Sequence, residues 1–498
     1  MNVNPITRLD YPDPDVIRVE DTYYMVSTTM HFMPGCEILQ SFDLVHWEHV
    51  TYVYETLDHT DAQQLKSGHN IYGQGMWAAS LRYHEGRFYI CFVANDTRKT
   101  YLYTSEKIDG PWKKQLIEGF YHDGSLLFDE DGRNYIVYGN DEIWITELNE
   151  DLTAPKKDGL HCLLVSDHKN PELGYEGSHI QKINGYYYIF LVHSLRDRWM
   201  RTEACFYSDS LEGEFTGGDV LCDDRGYCGQ GVAQGGIVDT PDGKWYAMLF
   251  QDSGAVGRIP ILLPVTWKDH FPFFGQNGHV PEEIEVHSTR PGYIYQPLVG
   301  SDDFCNGLLP RWQFNHDPDP RYYHLDALQG TYTITTREVC TELTQAVNTL
   351  TQRMSYPSCA AEVTVDASAL KEGDVAGLCA LQSCYAAVGI TKHHGKYEVL
   401  MLDKKEDGIL DMTEGTVVES HQMDFRLEAD FCNMKDEARC YYRVNKGDWL
   451  PIGTVHKLYF KLDHFTGCRF GLFCYAAEET GGSACFRDFK YYDVDEIS

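Results

Sequence analysis

Glu176-Gly-Ser-His-Ile-Gln-Lys-Ile-Asn-Gly-Tyr-Tyr-Tyr188-Ile-Phe-Leu-Val192 reads as two short strands joined by a glycine turn, the second rich in aromatic and β-branched residues. The turn and its trailing tyrosine form a cassette that recurs through the first half of the chain. Asp21-Thr-Tyr-Tyr24, Gly86-Arg-Phe-Tyr89, Gly132-Arg-Asn-Tyr135, Gly185-Tyr-Tyr-Tyr188 and Gly243-Lys-Trp-Tyr246 make five copies, whose final tyrosines step by 65, 46, 53 and 58 residues. Periods near 50 with variable loops are those of propeller blades, each a four-stranded unit. The expected fold class is all-β, with a five-bladed β-propeller over residues 1–296.

The strand before each cassette can be counted back from its tyrosine. Twelve residues back stand Trp77, Asp123, Glu176 and Gln234; in the first copy, whose turn is one residue shorter, eleven residues back stands Asp13. In a propeller the first strand of each blade lines the central channel, so these five addresses converge on one mouth. Three of them are carboxylic acids, followed by small residues that leave room for a ligand. Acids starting strands at loops are common singly, but three at equivalent addresses form a constellation.

Three like charges around one cavity cannot all ionise at their solution values, because repulsion and desolvation raise at least one. A proton donor and a proton acceptor can then coexist near neutral pH, which is what glycosidic cleavage by paired carboxylates requires. Composition agrees with a neutral sugar as substrate. The chain has 42 Lys and Arg against 75 Asp and Glu, a net charge of −33, and no basic run to track a phosphate backbone or an anionic lipid face. Nucleic-acid and membrane-surface partners are therefore not expected; a small oligosaccharide is. The 66 aromatic residues suit sugar faces and sheet cores alike. Sixteen cysteines are scattered through apolar runs without a CxxC pair, as reduced buried thiols would be. With neither a basic n-region nor an apolar h-region at the N-terminus, the expected location is cytoplasmic.

Tyr11-Pro-Asp-Pro-Asp15, Trp77-Ala-Ala-Ser, Asp123-Gly-Ser-Leu-Leu-Phe-Asp, Glu176-Gly-Ser-His-Ile, Gly257-Arg-Ile-Pro and Pro264-Val-Thr-Trp267 resemble, in order and spacing, glycoside hydrolase family 43. The resemblance spans roughly residues 4 to 295. It implies a propeller enzyme acting on arabinose and xylose linkages, typically by inversion, that needs no cofactor for its chemistry. It also implies roles: Asp13 as general base, Glu176 as general acid, and Asp123 as the group that tunes and orients the acid. Asp15, two residues on and expected on the same strand face, is the rival for the base. Asp129 and Asp131 read as turn residues. Trp77 matches a position that stacks on sugar or packs the channel wall, and Phe32 a position where an aromatic closes the pocket. Arg258 aligns with an arginine that bonds sugar hydroxyls or serves as a structural salt bridge.

Two departures stand out. Relatives usually read Trp-Ala-Pro where this chain has Trp77-Ala-Ala. In many, a fifth-blade histidine faces a divalent ion such as Ca2+ on the propeller axis; here the position carries Gln234, which can hydrogen-bond sugar or water but is a poor replacement for imidazole. The axial ion is left as an open expectation. His393-His394 and His161-Cys162 lack partners at metal spacing.

After Gln296 the cassette stops. Thr331-Tyr-Thr-Ile-Thr-Thr, Ala360-Ala-Glu-Val-Thr-Val, Tyr397-Glu-Val-Leu-Met-Leu and Gly471-Leu-Phe-Cys-Tyr read as strands of an antiparallel sandwich over 297–498. The region resembles the concanavalin A-like domain that follows the propeller in many family members. It is expected to cover the propeller and shape the pocket rim rather than bind sugar itself. The functional expectation is exo-acting release of α-L-arabinofuranose from arabinan or arabinoxylan oligosaccharides. Its alternatives are a β-D-xylosidase, an enzyme with both activities, or a non-catalytic carbohydrate-binding propeller.

Overall fold

The computed structural model describes residues 2–413 and 415–493. Each cassette is the turn between the first two strands of a four-stranded antiparallel sheet, and there are five such sheets, four built from strands consecutive in sequence and the first interrupted by the short strand Phe32–Met33. Blade 1 runs from Asp15–Val19 to Glu48–Tyr54, blade 2 from Met76–His84 to Lys113–Ile117 and blade 3 from Ser125–Phe128 to His161–Ser166. Blade 4 runs from Glu176–Ile183 to Thr216–Leu221, and blade 5 from Val232–Asp239 to Phe271–Phe274. Two-residue turns such as Asn184-Gly185, with φ of 50° and 85°, match the twist of the strands they join.

No blade shares a strand with its neighbour, so other contacts close the ring. Asn2–Val3 pairs with Glu283–Ile284. Asn4 exchanges side-chain hydrogen bonds with the backbone of Leu262, and Arg18 of blade 1 pairs with Asp239 of blade 5.

The second unit is a sandwich of a nine-stranded and a seven-stranded sheet around one large apolar core. Its larger sheet ends on Phe32–Met33, a short strand contributed by the propeller and paired with Gln313–Asn315. A boundary at residues 296/297 therefore separates the chain in sequence but cuts through a shared sheet. Buried polar links reinforce the seam. Arg353 of the sandwich pairs with Glu37 at 2.8 Å, and Asp10 accepts from the backbone N–H of Gly467 on one oxygen and of Arg258 on the other, both at 2.7 Å.

Candidate active site

The five inner strands begin with a common backbone device. The address residue itself has positive φ in blades 1, 3 and 5 (Asp13 52°, Asp123 48°, Gln234 64°); in blades 2 and 4 the next residue does (Ala78 35°, Gly177 65°). In blades 2, 4 and 5 this is a β-bulge, which bends the strand and re-aims side chains; in blades 1 and 3 it is the turn just before the strand. Gly177 is required twice over. Its φ is left-handed, and a Cβ there would lie 2.7 Å from Cγ of Gln234.

The device separates the two aspartates. Blade 1's inner strand starts at Asp15, so Asp13 lies in the turn before it and the two do not share a strand face. Asp15 points down the axis, where it accepts from the Leu81 N–H at 2.7 Å, from Arg82 Nη1 at 2.8 Å and from His179 Nδ1 at 3.1 Å. Arg82 also reaches Ser125 and the carbonyls of Leu126 and Ile180, so Arg82, Asp15 and His179 form a plug across the channel.

Above the plug lies a cavity of about 200 Å3. Asp13, Trp77, Asp123, Glu176, Gln234 and Arg258 line it, together with His122, Leu173, Trp199, Arg201, Leu462 and Phe465. Both oxygens of Asp13 accept hydrogen bonds, Oδ1 from Arg258 Nη1 at 2.7 Å and Oδ2 from Thr28 Oγ1 at 2.5 Å. Asp123 accepts from the Gly177 N–H at 3.0 Å, and Glu176 Oε2 accepts from Asn140 Nδ2 at 2.7 Å. His122 inserts beside these two acids: one polar atom from each of His122, Asp123 and Glu176 lies within 4.8 Å of the other two. Gln234 is held through its backbone N–H, which donates to Glu203 at 2.7 Å; burial raises the Glu203 carboxyl well above its usual range.

The two acids beside His122 are pushed in opposite directions. Burial raises Asp123 to about 6, with the charges of Glu176 and Asp13 adding to it and His122 opposing. Burial works the same way on Glu176, but His122, Arg201 and Arg258 outweigh it and bring that carboxyl below its usual range.

Phe32 does not line the cavity. Its ring is 2% exposed at the seam between the units, under the Arg469 guanidinium, because the strand that carries it pairs with the sandwich. Phe465, from the sandwich, lines the cavity instead; its ring meets Trp77 edge-on at 5.1 Å and lies beneath the Arg258 guanidinium at 3.8 Å. The residues sequence reasoning missed come from places the repeat does not index. His122 stands one residue before an address and could have been found. Arg201 opens the third strand of blade 4 and Trp199 lies in the loop just before it, and Leu462 and Phe465 arrive from another domain.

On the axis, the space between the acids and the plug is a cavity of about 10 Å3, room for about one water. Asp13, Ser80, Asp123, Ser178, His179 and Gln234 are its polar walls. Asp13 is bonded to Arg258 and Thr28, Asp123 accepts from the Gly177 N–H, and His179 Nδ1 faces Asp15. A space of about one water leaves no room for the 6–8 oxygens that Ca2+ gathers, so the residues do not fit a fully coordinated axial ion.

A dead-ended propeller mouth with three convergent carboxylates defines a carboxylate-dependent hydrolase of glycosidic bonds. The chain belongs to glycosyl hydrolases family 43, whose pattern matches residues 3–272; residues 301–492 match the beta xylosidase C-terminal concanavalin A-like domain. It is 26% identical to a beta-xylosidase of Formosa agariphila over 99% of this chain and 89% of that protein. It is 25% identical to a non-reducing end alpha-L-arabinofuranosidase of Bacteroides ovatus over 82% of this chain and 79% of that one. Among solved structures, a bifunctional protein of Bacteroides eggerthii superposes with a TM-score of 0.92 at 42% identity. That match covers 99% of this chain, which spans 63% of the length of the larger protein.

Proposed function

We propose that this glycoside hydrolase is exo-acting and removes one terminal pentose at a time, β-D-xylose or α-L-arabinofuranose, from short xylan- or arabinan-derived oligosaccharides. The shape of the cavity carries this reading. Its floor is Asp13, Asp123 and Gln234, above the Arg82 plug, and Leu462 and Phe465 close over it from the sandwich. Its volume of about 200 Å3 is on the scale of a single sugar ring. The relatives' names divide between the two sugars, with β-xylosidase the more frequent, which supports β-D-xylose beside the arabinofuranose that sequence patterns alone favour. The sixteen free thiols, ten of them buried, favour work in a reducing compartment on imported fragments.

In the proposed reaction Asp13 takes a proton from a water beneath the anomeric carbon while Glu176 protonates the leaving oxygen, inverting the configuration. Arg258 and Thr28 fix Asp13 from both sides, and Trp77 and Phe465 wall the sugar. Turnover on nitrophenyl β-D-xyloside and α-L-arabinofuranoside tests the substrate class, with Glu176→Gln as control, and proton NMR of the first-formed anomer tests inversion. Sugar binding without turnover on either glycoside, or on the matching oligosaccharides, would point to the carbohydrate-binding alternative.

A further inference from the structure

Glu176 is an unusual place to keep a proton. Its Oε2 already accepts from the Asn140 amide, and the guanidiniums of Arg201 and Arg258 bear on it; each favours the anion. A general acid must nevertheless carry a proton when the leaving oxygen arrives. The same oxygen has a second nitrogen neighbour. Nε2 of His122 lies 3.5 Å from Glu176 Oε2 and 3.6 Å from Asp123 Oδ2, so the imidazole stands between the two acids on the cavity wall.

We propose that His122 is the proton store of the acid: an imidazolium whose Nε2–H faces Glu176 Oε2 and passes to it as the leaving oxygen engages. This rests on Glu176 being the acid in the reaction above. The proton moves from His122 Nε2 to Glu176 Oε2 and on to the glycosidic oxygen as the C–O bond breaks. Water adds to the anomeric carbon and gives its own proton to Asp13. Asp13 then releases that proton to solvent, and His122 takes one up, so the cycle closes with one water consumed and no other reactant.

The charges facing His122 agree. Asp123 on its own blade, Glu176 on blade 4 and Asp13 on blade 1 are all acids, and Asp123 in particular raises the imidazole to about 9 against the opposing cost of burial. Imidazolium with carboxylate, and imidazole with carboxylic acid, are two arrangements of one shared proton, so the pair loses that proton as a unit. A raised histidine holds its proton below that value and gives it up as pH climbs past it. The alkaline limb of kcat/KM therefore belongs near pH 9 rather than in the carboxylate range.

The test is the pH profile of wild type against His122→Gln, which keeps a donor beside Glu176 but cannot store a proton. The variant's alkaline limb is expected to fall by two pH units or more. A folded variant whose rate drops uniformly, with its limb within about half a unit of wild type, would overturn the proposal. Imidazole titration followed by NMR in the wild-type chain is independent of turnover. It is expected to show one histidine charged through neutral pH, titrating lower in Glu176→Gln; all histidines neutral by pH 8 would overturn the proposal even if the enzyme hydrolyses glycosides. Absence of turnover together with a histidine that stays charged to near pH 9 would instead put the hydrolase reading of the site at fault.

Discussion

Arg258 and Asp13, 245 positions apart in sequence, meet at 2.7 Å and close the propeller ring at the catalytic mouth. Nε of the same guanidinium donates to Asp252 at 3.1 Å, and Asp252 in turn receives Nε of Arg201 at 3.0 Å. Two buried carboxylates and two guanidiniums thus form one chain of charge-assisted bonds from Arg201 to Asp13.

Lysine cannot reproduce that bridge, because its single ammonium does not span Asp13 and Asp252 as the planar fork does. Arg258→Lys is expected to leave one buried carboxylate short of a partner, costing about 3–5 kcal/mol of stability by chemical denaturation. Asp13→Asn should lower kcat roughly 100- to 10,000-fold, the range of a lost general base. Asp15→Asn, which breaks the axial plug, should show its loss mainly in stability; a kcat loss matching that of Asp13→Asn in an equally stable protein would reassign the base.

Asp123 trades stability for function. Burial raises its carboxyl to about 6, so the folded chain holds the proton more tightly than the unfolded chain does. Stability is therefore lost as pH rises from the ordinary carboxylate value through 6, and above 6 the ionised group costs roughly 3 kcal/mol. Asp123→Asn removes that cost together with the charge that raises His122, so it should turn over more slowly, with its acid limb displaced from 6 and its His122 imidazole titrating lower. A pH–rate profile beside imidazole NMR checks the two halves separately.

The repeat made the fold and the three acids legible, because blades impose equal spacing on residues that meet at the axis. Counting from Tyr135 or Tyr188 needs no side-chain information. The backbone turn at Asp13 was not legible, since a positive φ leaves no periodic trace, and so the sequence could not show that Asp15 points instead toward Arg82 and His179. Phe32 misled for a different reason: its neighbourhood looks like propeller loop, but its backbone pairs with a sheet formed some 280 residues later. Phe465 was hidden by the same long-range docking.

That docking predicts a specificity effect. Phe465 roofs the cavity from the sandwich, packing on Trp77 and under Arg258. Phe465→Ala should raise KM for short substrates by about tenfold, the worth of ~1–1.5 kcal/mol of lost aromatic contact, while kcat changes less. An unroofed pocket should also discriminate less against longer oligosaccharides. Relative kcat/KM across di-, tri- and tetrasaccharides measures this, and an unchanged length preference would show that the roof lies elsewhere.

The seam between the units should be its acid-labile part. His31 from the propeller and His316 and His464 from the sandwich pack ring against ring, with centroids 4.7 Å apart for His31 and His316 and 5.3 Å for His31 and His464. All three are buried, and burial holds them neutral: His31 well below its usual value, His316 down to about 3 and His464 to about 4. The Ile71 N–H donates to His316 Nε2 at 3.0 Å, which requires a lone pair there and so a neutral ring. Unfolding frees all three to protonate near 6.5, so below that pH the unfolded chain binds more protons and stability falls, down to the folded values near 3 to 4. Each ring contributes up to about 1.4 kcal/mol per pH unit, and the three together about 4. His316→Gln, whose side-chain oxygen can still accept from Ile71, should flatten the slope of unfolding free energy between pH 6 and 4.5 by about 1.4 kcal/mol per unit. Urea titrations of both proteins across that window are the measurement, and parallel slopes would mean the ring is already charged in the folded state.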